Sequence, residues 1–490
     1  MTEIITTPIY YVNGEPHIGH AFTSVLADIY AKKRKQEGKD AWLITGTDEH
    51  GQKIALAAQS SNEDIEKFVA RHSDKFRALA NLYDVKYDTF VRTSSDSHKL
   101  VVTSAWEALR LKGDIYLGKY SGYYSTKEET YYKDSDLIKR PDGYYTPLGE
   151  KVNWIEEECF FFKLSAYKER IKALLSENKD FIYPSFYARE ALAQIDSLED
   201  IAISRTGVSW GIPVPEHENH VVYVWFDALL NYLTGLGDLC FDTSLSANFV
   251  HFIGKDILKF HAIIWPAILF ALGLPAPKQI RVNGWFTIAG EKLSKSSENA
   301  FDPDENGNRL DPYRLVREYG LDVVRQFFSH VSDGQDTAFR HDLIINAGNR
   351  LSHSFGNLAY RTLRQVAKRY KDGFTPVSID ENTEWNSFAN ELNELKQLNG
   401  RAFSDKILTI ASHANEYIAR IEPWKLDQTR VVVPFSVLLR VILELAKVEK
   451  AISPHGCESI LADIENEQGR YVINQDSRPP FPQFIVLSGG

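Results

Sequence analysis

The chain has almost no methionine. Met1 is its sole methionine among 490 residues. Methionine is a common filler of irregular core gaps, so selected removal stands beside compositional drift as an explanation. Cysteine is scarce too: Cys159, Cys240 and Cys457 lie far apart. That spacing excludes a CxxC pair, argues against a disulfide framework and leaves the three as small buried hydrophobes. No uncharged apolar stretch of about 18 residues occurs, so no membrane span is expected. A strand pattern begins by Ile4 with no charged leader and apolar core before it, and a soluble, cytoplasmic protein is expected. Positive charge is in deficit, with a formal net charge of −10. This argues against a protein that coats nucleic acid indiscriminately, yet leaves room for a local basic patch that holds one RNA. What remains is 43% hydrophobic, enough to bury a large core in about three or four domains.

The most informative stretch runs from Thr6 to His20. Ile4 to Val12 reads as a buried strand and Asn13-Gly14 as its turn, with Pro16 suited to the first position of a helix that runs from about His17 toward Arg34. His17 and His20 are three apart, on one face of the first turn, beside free backbone N–H groups and the positive end of the helix dipole. An imidazole pair there can hold nucleotide phosphates; the competing reading is that one ring caps the helix and the other packs against it.

Far downstream, Gly290-Glu291-Lys292-Leu293-Ser294-Lys295-Ser296-Ser297 places two lysines three apart in a polar loop. Alone, such a loop is a solvated turn. Paired in this order with His17-Ile18-Gly19-His20, it resembles the HIGH and KMSKS signatures of class I aminoacyl-tRNA synthetases. The shared task of that class is adenylation of an amino acid. Attack of a carboxylate on the α-phosphate of ATP builds charge on the phosphates and the departing pyrophosphate, and positioned cations and N–H donors stabilise it.

Apolar runs of strand length alternate with helical patterns through about residue 115, the rhythm of a parallel sheet. Ala41 to Thr45 is the next expected strand, ending in Gly46-Thr47-Asp48-Glu49-His50-Gly51, where open α/β sheets place ligands. Asp48 is a ligand candidate there, with a helix N-cap as its ordinary alternative. A Tyr- and Gly-rich texture follows, and the sheet is expected to resume with Val221-Val222-Tyr223-Val224-Trp225 and then Phe249 to Asp256. Ile257, His261 and Trp265, spaced by four, share one face of the next helix, either as a pocket wall or as core packing. The domain boundaries read as 1–115 and 221–281 for two halves of a Rossmann-type catalytic domain, 116–220 for an inserted connective domain, 282–345 for the Lys292-loop and stem-contact region, and 346–490 for a helical domain. The fold class is α/β, a parallel-sheet domain followed by a C-terminal α-helical bundle.

Further signatures narrow the resemblance to the methionyl-tRNA synthetases across nearly the whole chain. They are Pro8-Ile9-Tyr10-Tyr11, the Asp48 segment, Ser209-Trp210-Gly211-Ile212-Pro213, Tyr223-Val224-Trp225-Phe226-Asp227-Ala228, and Phe252-Ile253-Gly254-Lys255-Asp256-Ile257 with His261 and Trp265. The resemblance implies that Asp48 holds the methionine ammonium while Ile9, Tyr11, Trp225, Ala228, Tyr232, Ile257, His261 and Trp265 enclose the side chain. Leu229 stands where some relatives have proline. A thioether is apolar, polarizable and a weak acceptor, so aromatic walls with Tyr11 and His261 as polar handles suit it. For ATP the resemblance implies His17 and His20 on the phosphates, Asp256 on the ribose and Lys292 and Lys295 on the pyrophosphate, with Gly19 and Ser294 also in the ATP site. His17, His20, Lys292 and Lys295 are the expected catalytic groups, and Mg²⁺ is expected with the phosphates. Leu293 replaces the motif's methionine with conserved bulk.

Many relatives hold zinc on CxxC pairs in the insertion. Here Tyr124, Ser125 and Thr126 lie about where those thiolates are expected, so no metal ligand set is expected and the insertion resembles the zinc-less subgroup. In the helical third, Asn357, Arg361, Arg364 and Lys368 form a cationic stripe beside an apolar one of Leu351, Phe355, Leu358, Thr362 and Val366. Family position assigns Asn357 and Arg361 to the anticodon of tRNA(Met), and Trp424 to stacking on one of its bases. No appended dimerisation domain follows, and a monomer is expected. Synthetases for leucine, isoleucine or valine share both motifs but usually carry a much larger editing insertion. A nucleotidyltransferase has no need of the helical third. A non-catalytic RNA-binding protein has no need of two intact phosphate motifs.

Overall fold

The structure is a computed structural model that describes residues 2–126, 130–132, 134–147, 149–288, 291–292, 311–467, 469–474 and 478–482. The chain divides into two compact units. The first comprises residues 1–16, 41–81 and 86–283; the second comprises residues 17–40, 82–85 and 284–490.

The first unit is built on a six-stranded parallel sheet. Its spatial order is Thr89–Arg92, Ala41–Asp48, Glu3–Tyr11, Phe249–Gly254, Gln279–Asn283 and Ile182–Tyr183. Both inner strands are buried almost throughout, as strands covered by helices on both faces must be. The chain leaves Glu3–Tyr11 toward Ala41–Asp48 on one side and returns on the other at Phe249–Gly254. That reversal is a topological switch point, and the strand C-termini flanking it are where open α/β sheets bind ligands. Gly46 is required here by close approach: an added Cβ would sit 2.1 Å from the Val91 carbonyl oxygen.

One expectation about the sheet is corrected. Val221 to Trp225 does not re-enter it. His217–Val222 pairs antiparallel with Ser204–Thr206 and Pro213–Val214 in a separate three-stranded sheet, and Val224–Leu229 is already helix. A short apolar run is ambiguous between strand and buried helix, and tertiary pairing divided this one at Tyr223. The sixth strand comes instead from Ile182–Tyr183, two residues too short to carry a periodic signal.

The Tyr-rich segment forms a four-stranded antiparallel sheet of Ile201–Ala202, Asn153–Phe162, Ile115–Ser125 and Thr130–Tyr132. Beside it Arg205, on the strand Ser204–Thr206 of the three-stranded sheet, pairs with Glu157 at 2.6 Å and lies 4.0 Å from the centre of the Tyr124 ring. Among the described residues no group of three or more His, Cys, Asp or Glu side chains is arranged to hold a metal ion.

The second unit is mostly helical. Its long helices include Ile18–Gln36, Leu321–His330, His341–Leu351, Asn357–Arg369, Gly400–Ile421 and Val432–Glu449. Arg325, fully buried on the second of these, organises the unit. It pairs with Asp28 at 2.6 Å and donates to the carbonyls of Tyr83, Ala451 and Ile452 at 2.7–2.8 Å, so a buried cation has a counter-ion and several acceptors. No described helix is long and apolar enough to cross a membrane.

Candidate active site

In the first unit, strand register brings the first candidate residues together. Ile9 pairs with Gly46 and Tyr11 with Asp48 across the parallel ladder, after an irregularity that follows Thr6. Side chains two apart on a strand, and those of parallel register partners, share a face, so Ile9, Tyr11 and Asp48 emerge together at the strand C-termini. Asp48 is not a helix cap. It is the last residue of its strand, and the next helix, Gln52–Ser60, has Gly51 at its N-cap with a φ of 111°, open to glycine alone at little cost.

The strand end is locked from below. The Glu49 carboxylate accepts from Thr47 at 2.8 Å and from Arg92 at 2.7 and 3.0 Å, and Ser94 also donates to it. Trp210 donates its indole N–H to the Glu49 carbonyl and accepts from the Gly51 amide at 3.1 Å. The Trp210 motif is thereby the brace of the Asp48 segment.

A second wall is aromatic. The Tyr232 hydroxyl lies 2.6 Å from His261 Nε2, and His261 Nδ1 lies 2.9 Å from the Ile257 carbonyl. A carbonyl only accepts, so Nδ1 carries the proton and Nε2 receives the Tyr232 hydroxyl. Burial pushes the His261 imidazole down to about 4, and the ring is neutral at physiological pH. Behind it, Trp265 donates to His251 Nε2 at 3.1 Å and His251 Nδ1 donates to Thr6 Oγ1 at 2.7 Å. Burial holds His251 well below the usual histidine range. The wall is fully hydrogen-bonded through these rings and carries no charge. Trp225, half-buried, stacks on Phe260 with centroids 3.6 Å apart and planes 11° apart, and Ala228 is buried on the same short helix.

The segment carrying Ile257, His261 and Trp265 is not one α-helix. A 3₁₀ turn, Lys255–Ile257, passes through two α-helical residues into a π-helical turn, Phe260–Ile264, and regular α-helix resumes at Trp265. The wider turn carries His261, and such departures are frequent at functional sites. Asp256 is exposed on the 3₁₀ turn, its carboxylate folded back so that a Cβ on Gly254 would lie 2.6 Å from Oδ1. Sequence reasoning missed His251 and Phe260 as neighbours of the pocket. The signal for His251 was a lone polar ring inside the apolar strand Phe249 to Ile253.

In the second unit, the helix Ile18–Gln36 begins one residue later than expected. His17 is its N-cap, and Pro16 precedes the cap instead of occupying the first turn, because the His17 side chain takes the capping role. His17 Nδ1 accepts from the Gly19 amide at 3.1 Å, and His20 Nδ1 accepts from the His17 amide at 3.0 Å, a reciprocal capping box made of two imidazoles. Since both Nδ1 atoms accept, both rings keep their proton on Nε2. The rings stack, centroids 3.6 Å apart, and both are half-buried. Lys292 lies in the two-residue strand Glu291–Lys292, paired with Phe286–Ile288; Ser294 and Lys295 lie outside the described residues.

Also in this unit, the helix Asn357–Arg369 continues from a π turn at Ser352–Gly356, and Leu351, Phe355, Leu358, Thr362 and Val366 are all buried. Arg361, Arg364 and Lys368 are exposed on the opposite side. They line a groove of about 490 Å³ with Trp424, which is 39% exposed and lies 5.7 Å from the Arg361 guanidinium. Arg369 holds the Trp424 and Leu426 carbonyls at 2.8 and 2.9 Å. The structure brings Arg361 and Trp424 together; Asn357, a turn earlier, is half-buried and not among the groove's walls.

The chain matches the family of tRNA synthetases class I (M) over residues 3–143 and 144–363. It is 36% identical to a methionine–tRNA ligase of Rhizobium meliloti, with 98% of each chain covered, and 38% identical to one of Rickettsia conorii, with 87% and 85% covered. Among solved structures it is similar to methionyl-tRNA synthetase of Mycobacterium tuberculosis bound by methionyl-adenylate, with a TM-score of 0.90, 31% identity, and 98% and 100% of the two chains covered. This chain belongs to the methionine–tRNA ligases, the class I tRNA synthetases specific for methionine.

Proposed function

We propose that the protein activates methionine with ATP, releasing pyrophosphate, and transfers the methionyl group from the adenylate to the 3′ end of tRNA(Met). The observation that carries this reading is the pairing of Tyr11 with Asp48 at the switch point, in the same unit as an uncharged, hydrogen-bonded aromatic wall of Tyr232, His261 and Trp265. Asp48 would neutralise the substrate ammonium. Ile9, Tyr11, Trp225, Ala228 and Ile257 would complete the enclosure of the thioether. With both nitrogens of His261 committed, that ring meets the substrate as an uncharged aromatic face, which suits a polarizable sulfur.

The methionine carboxylate attacks the α-phosphate, the bond to pyrophosphate breaks, and the 3′ hydroxyl of the tRNA then displaces AMP from the acyl carbon. In this reading the Nε2–H groups of His17 and His20, held in one tautomer by the capping box, donate to ATP phosphate oxygens where charge develops. Gly19 keeps the backbone there open, Asp256 binds the ribose, and Lys292, Ser294 and Lys295 meet the pyrophosphate. Mg²⁺ travels with the phosphates. The inserted segment is proposed to need no zinc, with the Arg205–Glu157 pair over Tyr124 as its internal tie. Asn357, Arg361 and Trp424 are proposed to read the anticodon, and the protein is proposed to act as a cytoplasmic monomer. The domain limits given above are proposed to delimit these tasks.

The test is ATP–pyrophosphate exchange measured with each amino acid in turn, followed by charging of tRNA(Met). Exchange that depends on methionine alone is expected. Equal exchange with leucine, isoleucine or valine would overturn the assignment.

A further inference from the structure

Asp227 lies between Trp225 and Ala228 in sequence and is fully buried. His50 Nδ1 lies 2.7 Å from one of its carboxylate oxygens and His98 Nε2 lies 2.6 Å from the other. Burial pushes this carboxyl up, but the two imidazoles outweigh it and hold it at about 2. The ionised group only accepts, so both rings donate. His98 is anchored in turn at Nδ1, 2.8 Å from Thr234 Oγ1. The rings come from distant parts of the chain, 177 and 129 residues from Asp227.

Of the two segments joined in this way, the one carrying Asp227 lacks local support, and the other, braced through Glu49 and Trp210, gains from His50 a tie toward Trp225 and Ala228. The helix Val224–Leu229 has six residues and no side-chain cap, too short to hold its own conformation. On the other side, the strand ends at Asp48, and His50 and Gly51 lead into a helix that also lacks a side-chain cap. A buried ion-paired carboxylate contributes little net stability, because desolvation offsets the Coulomb gain. Its return is directional: two bonds that point to two different segments.

We propose that Asp227 is a positioning residue for methionine, clamping the Asp48 strand end through His50, and the helix of His98, to the segment carrying Trp225 and Ala228. The distance between ammonium subsite and thioether wall is thereby set, and that distance selects an unbranched side chain of methionine's length. A displacement of about 1 Å in such a site can cost on the order of a hundredfold. This inference rests on the proposed methionine pocket.

The experiment uses the full chain and steady-state exchange kinetics with methionine and ATP varied separately. Asp227→Asn, His50→Ala and His98→Ala should each raise KM for methionine about tenfold, with KM for ATP and kcat at saturating methionine within about threefold of the parent. Asparagine places its amide N–H near the position of Nδ1 and glutamine near that of Nε2, so His50→Asn and His98→Gln should restore KM for methionine. Should Asp227→Asn fail to fold, the two histidine pairs carry the test. Lower thermal stability and a smaller active fraction with unchanged KM for methionine would mean a merely structural role and overturn the clamp. Asp48→Ala serves as the control. If it raises KM while the clamp variants do not, the clamp alone is wrong; if it too leaves KM unchanged, the pocket is misassigned and the clamp falls with it.

Discussion

Replacing Tyr232 by phenylalanine removes one oxygen from the middle of the aromatic wall. Tyr232 is 1% exposed and His261 is 2% exposed, so water cannot replace the lost donor without opening the core. His261 Nδ1 remains tied to Ile257, which keeps its proton in place and leaves the Nε2 lone pair without its 2.6 Å partner. A buried acceptor stripped of its donor costs about 1–3 kcal/mol. For a cooperative unit of this size that lowers the melting temperature by roughly 2–4 °C per kcal/mol. If the ring relaxes to recover a partner, the thioether wall moves with it, and KM for methionine should rise about fivefold to tenfold while KM for ATP stays unchanged. The pH dependence has a definite sign. Burial holds His261 at about 4, below its unfolded value of 6.5. Its contribution to stability is complete above pH 6.5 and is lost as the pH falls toward 4. The Tyr232 hydroxyl bonds the neutral ring, so its removal favours protonation, and the acid limb of the methionine KM profile should shift to higher pH in the variant. The assay is exchange kinetics from pH 5 to 8.5 together with thermal unfolding. A variant with the parent's stability, methionine KM and acid limb would refute the claim that this hydroxyl holds the wall.

Other perturbations separate roles that share one residue. Asparagine is a good N-cap, so His17→Asn should retain thermal stability while lowering the adenylation rate about a hundredfold, of order 3 kcal/mol; a rate near that of the parent would reduce His17 to a helix cap. Trp424→Ala leaves the backbone carbonyls held by Arg369 in place, so methionine exchange should be untouched while tRNA charging falls about tenfold to a hundredfold from lost base stacking. Equal charging of normal and anticodon-altered tRNA by this variant and the parent would remove the groove from recognition. In the helical unit, burial pushes the Glu449 carboxyl up to about 8, with Ser453 donating to it at 2.7 Å. Its folded value exceeds its unfolded value of 4.5, so stability is full below pH 4.5 and falls by about 1.4 kcal/mol per pH unit toward pH 8. Glu449→Gln should therefore melt above the parent at pH 8, and a lower melting point there would contradict the burial of an ionisable group.

The two histidine and lysine motifs, the alternation of strand and helix, and the cationic stripe beside an apolar one were all legible in the residue order, because each is a local pattern read within a turn or two. So was the family, through short motifs spread along the chain. What the residue order could not yield is how distant pieces meet. Whether Asp48 caps a helix or ends a strand was decided by the register that sets it beside Tyr11, and whether Val221 to Trp225 is strand or helix was decided by which neighbours it paired with. Pro16 lost the first helical position to a cap that depends on where two imidazoles could turn. His251 and Asp227 stand as isolated polar residues in apolar runs, and only the folded chain supplies Thr6 and Trp265 to the one, and His50 and His98 to the other. A buried polar group is tolerable only when its partners arrive with it, and those partners come from residues far away in sequence. The sequence by itself therefore determined the family and most of the kinds of element and nominated the candidate functional side chains, while tertiary packing alone decided the register, the tautomers and the buried bonds that hold those side chains in place.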